Sequence, residues 1–190
     1  QIDVAGYNVA IDRESPGTLG QAGNSLDDSF DQTATNSRGI RMRTLKVIVG
    51  GEGNVGKTSL IRQYAKQKFS EARNITLGID ITTQEFEIDG EPTRLAIWDI
   101  EGQAGNRPNF YLGAQAIVLV YDVTEPSSLQ ALGEWHARCL KYAPSAPILV
   151  AGNKVDLGMH FPPTWGRAFA HFIGAKHGLL SAKTGQSVTR

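Results

Sequence analysis

The chain has one cysteine, no excess of charge of either sign and no long apolar run, and each lack removes a class of protein. A lone Cys139 in 190 residues leaves no internal disulfide framework, so a packed core must hold the fold, and the single thiol fits a reducing compartment. Lys+Arg and Asp+Glu stand at 19 each, which gives no sign of a generally basic surface for nucleic acid or membrane. No apolar stretch approaches the roughly 18 residues of a membrane span, and the amino terminus lacks a signal-peptide pattern. The expected location is cytoplasmic, with no membrane association visible in the chain. What remains is apolar content of 41%, enough for the full core of one domain.

Residues 1–42 lack periodicity as well. Gly, Ser, Asn, Gln and Asp recur without pattern, and six acids face two Arg in the first 40 residues, so the stretch reads as a disordered or weakly structured tail. The opening Gln1 in place of Met reads as processing, trimming or derivation from something longer.

From Thr44 onward, short apolar runs alternate with amphipathic stretches. "LKVIVGG" is a β-branched run ending in glycine, and "SLIRQYAKQKF" follows with Leu60/Tyr64 and Ile61/Ala65/Phe69 at helical spacing. "QEFEIDGEPTRLAIWDI" has the form of a hairpin around Asp89-Gly90. "AIVLVYDVT" and "PILVAGNKVDL" are continuous runs suited to strands buried on both faces. Leu129, Leu132, Trp135, Cys139 and Leu140 predict one helical stripe; Trp165, Phe169, Phe172 and Ile173 predict another before "GLLSA". The expectation is an α/β fold with a mostly parallel central sheet, one antiparallel edge strand and no internal repeat.

The strongest motif stands at the first strand-to-helix junction. "GEGNVGKT" fits G-x-x-x-x-G-K-[ST], with Gly51, Gly53, Asn54, Val55 and Gly56 in the loop, then Lys57, Thr58 and Ser59 opening the helix. Glycines let backbone N–H groups wrap a phosphate at a helix N-terminus, Lys57 reaches the outer phosphates, and the Thr58 hydroxyl is placed for Mg²⁺. After a buried strand comes "NKVD". The Asp156 carboxylate can accept from guanine N1 and N2, which adenine cannot match, Asn153 can serve the O6/N7 edge, and the Lys154 stem can cover the ring. "SAK", Ser181, Ala182 and Lys183, offers the Ala182 N–H to O6.

With these motifs the chain resembles the Ras superfamily of small GTPases, with Rab-like wording in "GKTSLIRQY", "TLGID" and "VLVYDVT" over roughly residues 44 to 185. The spacings from Lys57 to Phe69 and to Thr76 equal those of Ras. The resemblance implies a P-loop NTPase fold with helices on both faces, a GTPase domain over residues 43–190, and GTP/GDP and Mg²⁺ as ligands. It also implies slow GTP hydrolysis, protein effectors, an exchange factor and a GTPase-activating protein, with no nucleic-acid partner. By resemblance Phe69 packs on the guanine or its ribose, Thr76 and Asp99 join Thr58 around Mg²⁺, Gln103 orients the attacking water, and Thr76 and Gly102 meet the γ-phosphate through backbone N–H.

The chain also departs from the family. Asp99-Ile100-Glu101-Gly102-Gln103 stands where relatives read Asp-Thr-Ala-Gly-Gln. A Glu101 facing the γ-phosphate at about 5 Å would oppose it by roughly 3 kcal/mol at an effective dielectric of 20; facing solvent it would matter little. The segment before "YLGAQA" is shorter than in Rab proteins and contains Pro108, which predicts a curtailed second switch helix. The chain stops at "GQSVTR", where the family's last helix begins, so the domain is expected to be truncated there. Arg73 stands three residues before Thr76, as an arginine does in Gα subunits, and is either a built-in arginine finger or a solvated loop residue. Alternatives to the switch are a nucleotide-binding interaction domain with little or no hydrolysis, or the GTPase module of a larger protein. His136, His160, His171 and His177 show no ligand spacing, and "MHFPPTW" reads as a packed loop.

Overall fold

The run Leu45–Val49 lies in a strand that pairs on both edges. The computed structural model describes residues 33–35, 41–65, 78–100 and 108–188. In chain order the elements are β1 (Thr33–Thr35), β2 (Arg41–Gly50), α1 (Lys57–Tyr64), β3 (Ile79–Ile88), β4 (Glu91–Ile100), β5 (Ala116–Asp122), α2 (Pro126–Tyr142), β6 (Ile148–Asn153), α3 (Thr164–Phe172) and β7 (Lys176–Leu179). The sheet order is β3-β4-β2-β5-β6-β7. β2 lies parallel between β4 and β5, and β6 and β7 continue the parallel run. Only β3 on that path is antiparallel, joined to β4 by Asp89 and Gly90 at φ 52 and 79, the two left-handed residues of a tight hairpin turn. The α/β fold and antiparallel edge strand expected from the sequence are therefore present.

Within the stretch that reads as a tail, β1 pairs antiparallel with the start of β2, Thr33 opposite Arg43, and Met42 is buried. "TAT" carries no alternation of apolar residues, so nothing in its composition marks it as a strand.

Alternation along the strands divides the core. Leu45 and Val49 of β2, Leu95 and Ile97 of β4, and Val120 of β5 face α1 through Ile61. Ile48, Ile117, Leu119, Tyr121 and Val150 face the other way, toward α2 and α3. On α2, Leu129, Leu132, Trp135 and Cys139 are buried as their spacing predicts, but Leu140 is exposed; one step past Cys139 carries it off the inner stripe.

On α3 the predicted stripe is split, with Phe169 and Ile173 packed against the core and Trp165 and Phe172 turned outward. Gly166 and Ala170 are the buried residues, Phe169 and Ile173 are half-buried, and Trp165 and Phe172 are exposed. The cause is Tyr121, fully buried on β5, whose hydroxyl lies 2.9 Å from His177 Nε2 on β7. A Cβ on Gly166 would stand 2.2 Å from that hydroxyl and 2.7 Å from the imidazole. Only a helix with a small inner face fits over this pair. Between β4 and β5, Pro108–Phe110 forms a single 3-10 turn, and no α-helix is found there among the described residues.

In an exposed helix, Gly→Ala stabilises by about 1 kcal/mol. Gly166→Ala should instead destabilise by about 1–3 kcal/mol in urea unfolding, because the methyl must displace a fully packed Tyr121. Adding Tyr121→Phe should recover part of the loss; a strictly additive double variant would show that the two residues do not press on each other.

Candidate functional site

Parallel pairing sets the carboxyl ends of β2, β4, β5, β6 and β7 along one edge of the sheet, the edge where ligands of open α/β folds bind. The loop from Gly51 leaves β2 there and enters α1 at Lys57. Gly56 has φ 93, and a Cβ on it would come within 2.4 Å of Asn153 Nδ2. Glycine is thus required by both backbone and neighbour. Lys57 is 7% exposed, and its Nζ donates to the carbonyls of Gly51 and Glu52 at 2.8 and 2.7 Å. The ammonium is held against the loop's own backbone. Gly53 and Asn54 are exposed, Val55 is buried, and Ser59 is half-buried in the first turn.

The start of α1 is built differently from that of α2. Glu125 caps α2, accepting from Ser127 N, with Pro126 at the first helical position. No side chain caps α1, which leaves its first-turn N–H groups and their positive potential directed at the loop. Thr58 Oγ1 donates to Asp99 Oδ2 across the gap between α1 and the end of β4. A hydroxyl and a carboxylate, both hard oxygen donors, converge there, and this pair fits a divalent cation such as Mg²⁺.

Asn153 is buried, with Nδ2 donating to Val55 O at 2.9 Å and Oδ1 accepting from Ala182 N at 2.9 Å. The two residues expected at the O6/N7 edge of a purine are thus hydrogen-bonded to each other. A buried amide needs partners on both ends, so a purine here would share these donors. Asp156 is exposed in the 3-10 turn Val155–Leu157, and buried Ser181 donates its hydroxyl to Oδ1 at 2.6 Å, fixing the carboxylate. Lys183 is exposed on the same loop as Ser181. Lys154 adopts φ 70 and pairs with Asp122 Oδ2 at 2.5 Å.

The sequence reading missed Asp122 and Lys46. Asp122 ends β5 level with Asn153 on β6. Burial pushes its pKa up, but hydrogen bonds from Lys154 and from the Thr124 hydroxyl and amide outweigh this and hold the carboxyl below its ordinary value. A polar residue closing an apolar run was the available signal. Lys46 is buried on β2, donates to Leu112 O at 2.8 Å and lies 3.9 Å from the centre of the Trp98 ring. Burial lowers its pKa to about 8. It anchors the chain where β5's approach begins. The expectations for Phe69, Arg73 and Thr76, and for Glu101, Gly102 and Gln103, lie outside the described residues.

A family model described as "Ras family" matches residues 46–190. A Ras-related protein Rab7 of Glycine max is 45% identical over 127 residues, covering 62% of this chain and 62% of the relative. A Ras-related protein RABG3b of Arabidopsis thaliana is 44% identical over 126 residues, with the same shares. A Ras-related protein Rab-21 of Mus musculus is 35% identical over 154 residues, 78% of this chain and 69% of the relative. The chain thus spans less than two thirds of the length of the Rab7 relatives it matches.

Asn153→Ala should cost about 2–4 kcal/mol in denaturant unfolding, since it leaves a buried carbonyl and a buried N–H without partners. Asp122→Asn tests the pair with Lys154. The folded pKa of Asp122 lies below its unfolded value, so the pair's contribution is present above about pH 4 and is lost as pH falls through the folded pKa. The stability gap between wild type and Asp122→Asn should be open at pH 7 and close below about pH 4.

Proposed function

The chain belongs to the Ras family, and from that premise we propose that it is a GTP-binding switch of Rab type, active in trafficking or signalling. It binds GDP or GTP with Mg²⁺ and slowly hydrolyses GTP to GDP and phosphate. The observation that carries this reading is that one buried side chain, Asn153, ties the phosphate loop to the "SAK" loop, with Asp156 held beside them by Ser181. A base-reading carboxylate and a phosphate cradle on one rigid edge are the two halves of a guanine-nucleotide site.

In this reading the N–H groups of Gly53 to Thr58 bind the phosphates and Lys57 exchanges its carbonyl partners for phosphate oxygens. Thr58 and Asp99, joined by Thr76, would hold Mg²⁺, which would neutralise phosphate charge. Gln103 orients a water whose oxygen bonds to the γ-phosphorus; the bond from that phosphorus to the β–γ bridging oxygen breaks, its electron pair stays on the β-phosphate of GDP, and the water's protons leave with the inorganic phosphate. Loss of the γ-phosphate removes what the backbones of Thr76 and Gly102 bind. Effectors, an exchange factor and a GTPase-activating protein read and drive that difference. Residues 43–190 form the GTPase domain, and the protein works in the cytoplasm or peripheral to a membrane. Glu101 favours a second reading, a nucleotide-binding interaction domain with little turnover.

Titration with Mg²⁺ should show tight GDP binding and none of ADP, and Asp156→Ala should weaken GDP at least about a hundredfold by removing two charge-assisted hydrogen bonds. Equal affinity for ADP would sink the guanine assignment. Single-turnover hydrolysis then separates the remaining readings. Turnover absent in wild type but rescued by Glu101→Ala would favour the interaction domain. A fall of about a thousandfold in Arg73→Ala would identify a built-in arginine finger, and an unchanged rate would remove that role.

A further inference from the structure

α3 presents to solvent what helices ordinarily bury. Its inner face is Gly166, Ala170 and the half-buried Phe169, while its outward arc carries Thr164, Trp165, Arg167, Ala168, His171 and Phe172, all exposed. Phe172 is 86% and Trp165 52% exposed. Seven residues apart, they project from the same side of the helix about 10 Å along its axis. The loop that leads in adds Leu157 and Met159, also exposed, and the Phe161 ring supports Trp165 from below at 5.6 Å between centroids. The "MHFPPTW" stretch is thus half packed and half presented: Phe161 faces the core, Met159 and Trp165 do not.

From Leu157 to Arg190 the sequence contains no Asp or Glu; among its cations Arg167 stands on the outward arc of α3 and Lys176 is exposed just after that helix, while Lys183 belongs to the loop of Ser181. The neutrality of the whole chain hides this, because the acids all lie in the first 156 residues. A solvated helix arc normally carries mixed charge; this one carries a Trp, a Phe, an Arg and a His.

We propose that the outward face of α3, with Trp165 and Phe172 as its anchors, docks on an anionic lipid surface. Trp and Phe on a convex helix reach into the headgroup boundary without needing a groove, and cations beside them meet acidic lipid. A protein partner is the poorer fit. Trp165 and Phe172 rise from a single short helix, whereas a stable protein interface needs about 1,000 Å² of complementary surface. Surface area of that order is not required for partial insertion of two aromatic rings. The inference goes beyond the nucleotide reading and does not depend on it.

The test is co-sedimentation of the full chain with phosphatidylcholine vesicles, with and without phosphatidylserine, at low and high salt. Wild type should pellet with the phosphatidylserine vesicles, not with phosphatidylcholine alone, and less as salt rises. Phe172→Ala, at a position 86% exposed, should lower partitioning about tenfold. Arg167→Glu should lower it about thirtyfold, removing one favourable charge and adding an unfavourable one. Equal pelleting of wild type and Phe172→Ala, or no pelleting with phosphatidylserine, overturns the proposal. So does a dimer in solution that Phe172→Ala abolishes while vesicles bind neither protein, which would assign the face to a second copy. GDP titration of the same preparations keeps the outcomes apart: vesicle binding without GDP binding fails the nucleotide reading alone, and the reverse fails this one alone.

Discussion

The buried amide of Asn153 is the contact on which the functional edge depends. Its side chain spans 98 residues of sequence to reach Val55 O and 29 to reach Ala182 N. Neither loop has a core of its own. The phosphate loop is glycine-rich with Asn54 and Gly56 in left-handed conformations, and the loop after β7 is a succession of turns. Such segments are ordinarily the mobile parts of a fold. Here the closure entropy of both is met by β6, which delivers Asn153 to the same level as Asp122 on β5 and leaves it with no water to bond. The cost of stranding either end of a buried amide is what keeps the loops together. Gly56 belongs to the same constraint, since any side chain there would occupy the space of Nδ2. A ligand at this edge therefore meets donors already in place, and spends little of its binding energy on ordering them.

A second layer of the edge works by charge. Lys154 is in a left-handed conformation that turns it back toward Asp122, and Asp122 is in turn held by Thr124. The pair is too deeply placed to count as a surface ion pair, and its value lies in position: it fixes the residue between Asn153 and Val155 on which the register of the 3-10 turn and Asp156 depends. Ser181 completes the arrangement from the opposite loop.

How much of this was legible in the sequence follows from the kind of signal involved. Period and turn chemistry are local, so the Asp89-Gly90 hairpin and the buried strands β5 and β6 could be read directly. Motif spacing located Lys57, Thr58, Asp99, Asn153 and Asp156, which the structure gathers on one edge. Hydrogen-bond allocation is not local. That Asn153 and Ala182 satisfy each other depends on the depth of the edge, which no spacing encodes. Helix orientation failed for a related reason. A 3.6-residue stripe says which side chains share a face, but not which face turns inward. On α2 Trp135 went inside because Gly50 leaves room for it; on α3 Tyr121 and His177 fill the space beneath Gly166.

The same crowding bears on how α3 relates to the nucleotide edge. The helix packs on β7 and β6 and over the Tyr121–His177 pair, where burial raises the Tyr121 pKa to about 12 and burial, with the Arg167 charge, lowers that of His177. Coupling between two sites needs an element with two arrangements that each ligand favours differently. The Tyr121–His177 pair is close-packed against Gly166, and Tyr121 against Gly152 as well, with no room for a side chain at either glycine. In the proposed docking, this packed junction suits a face that positions the domain on a surface. The proposed GTP switch would then be read at the segments set against the γ-phosphate.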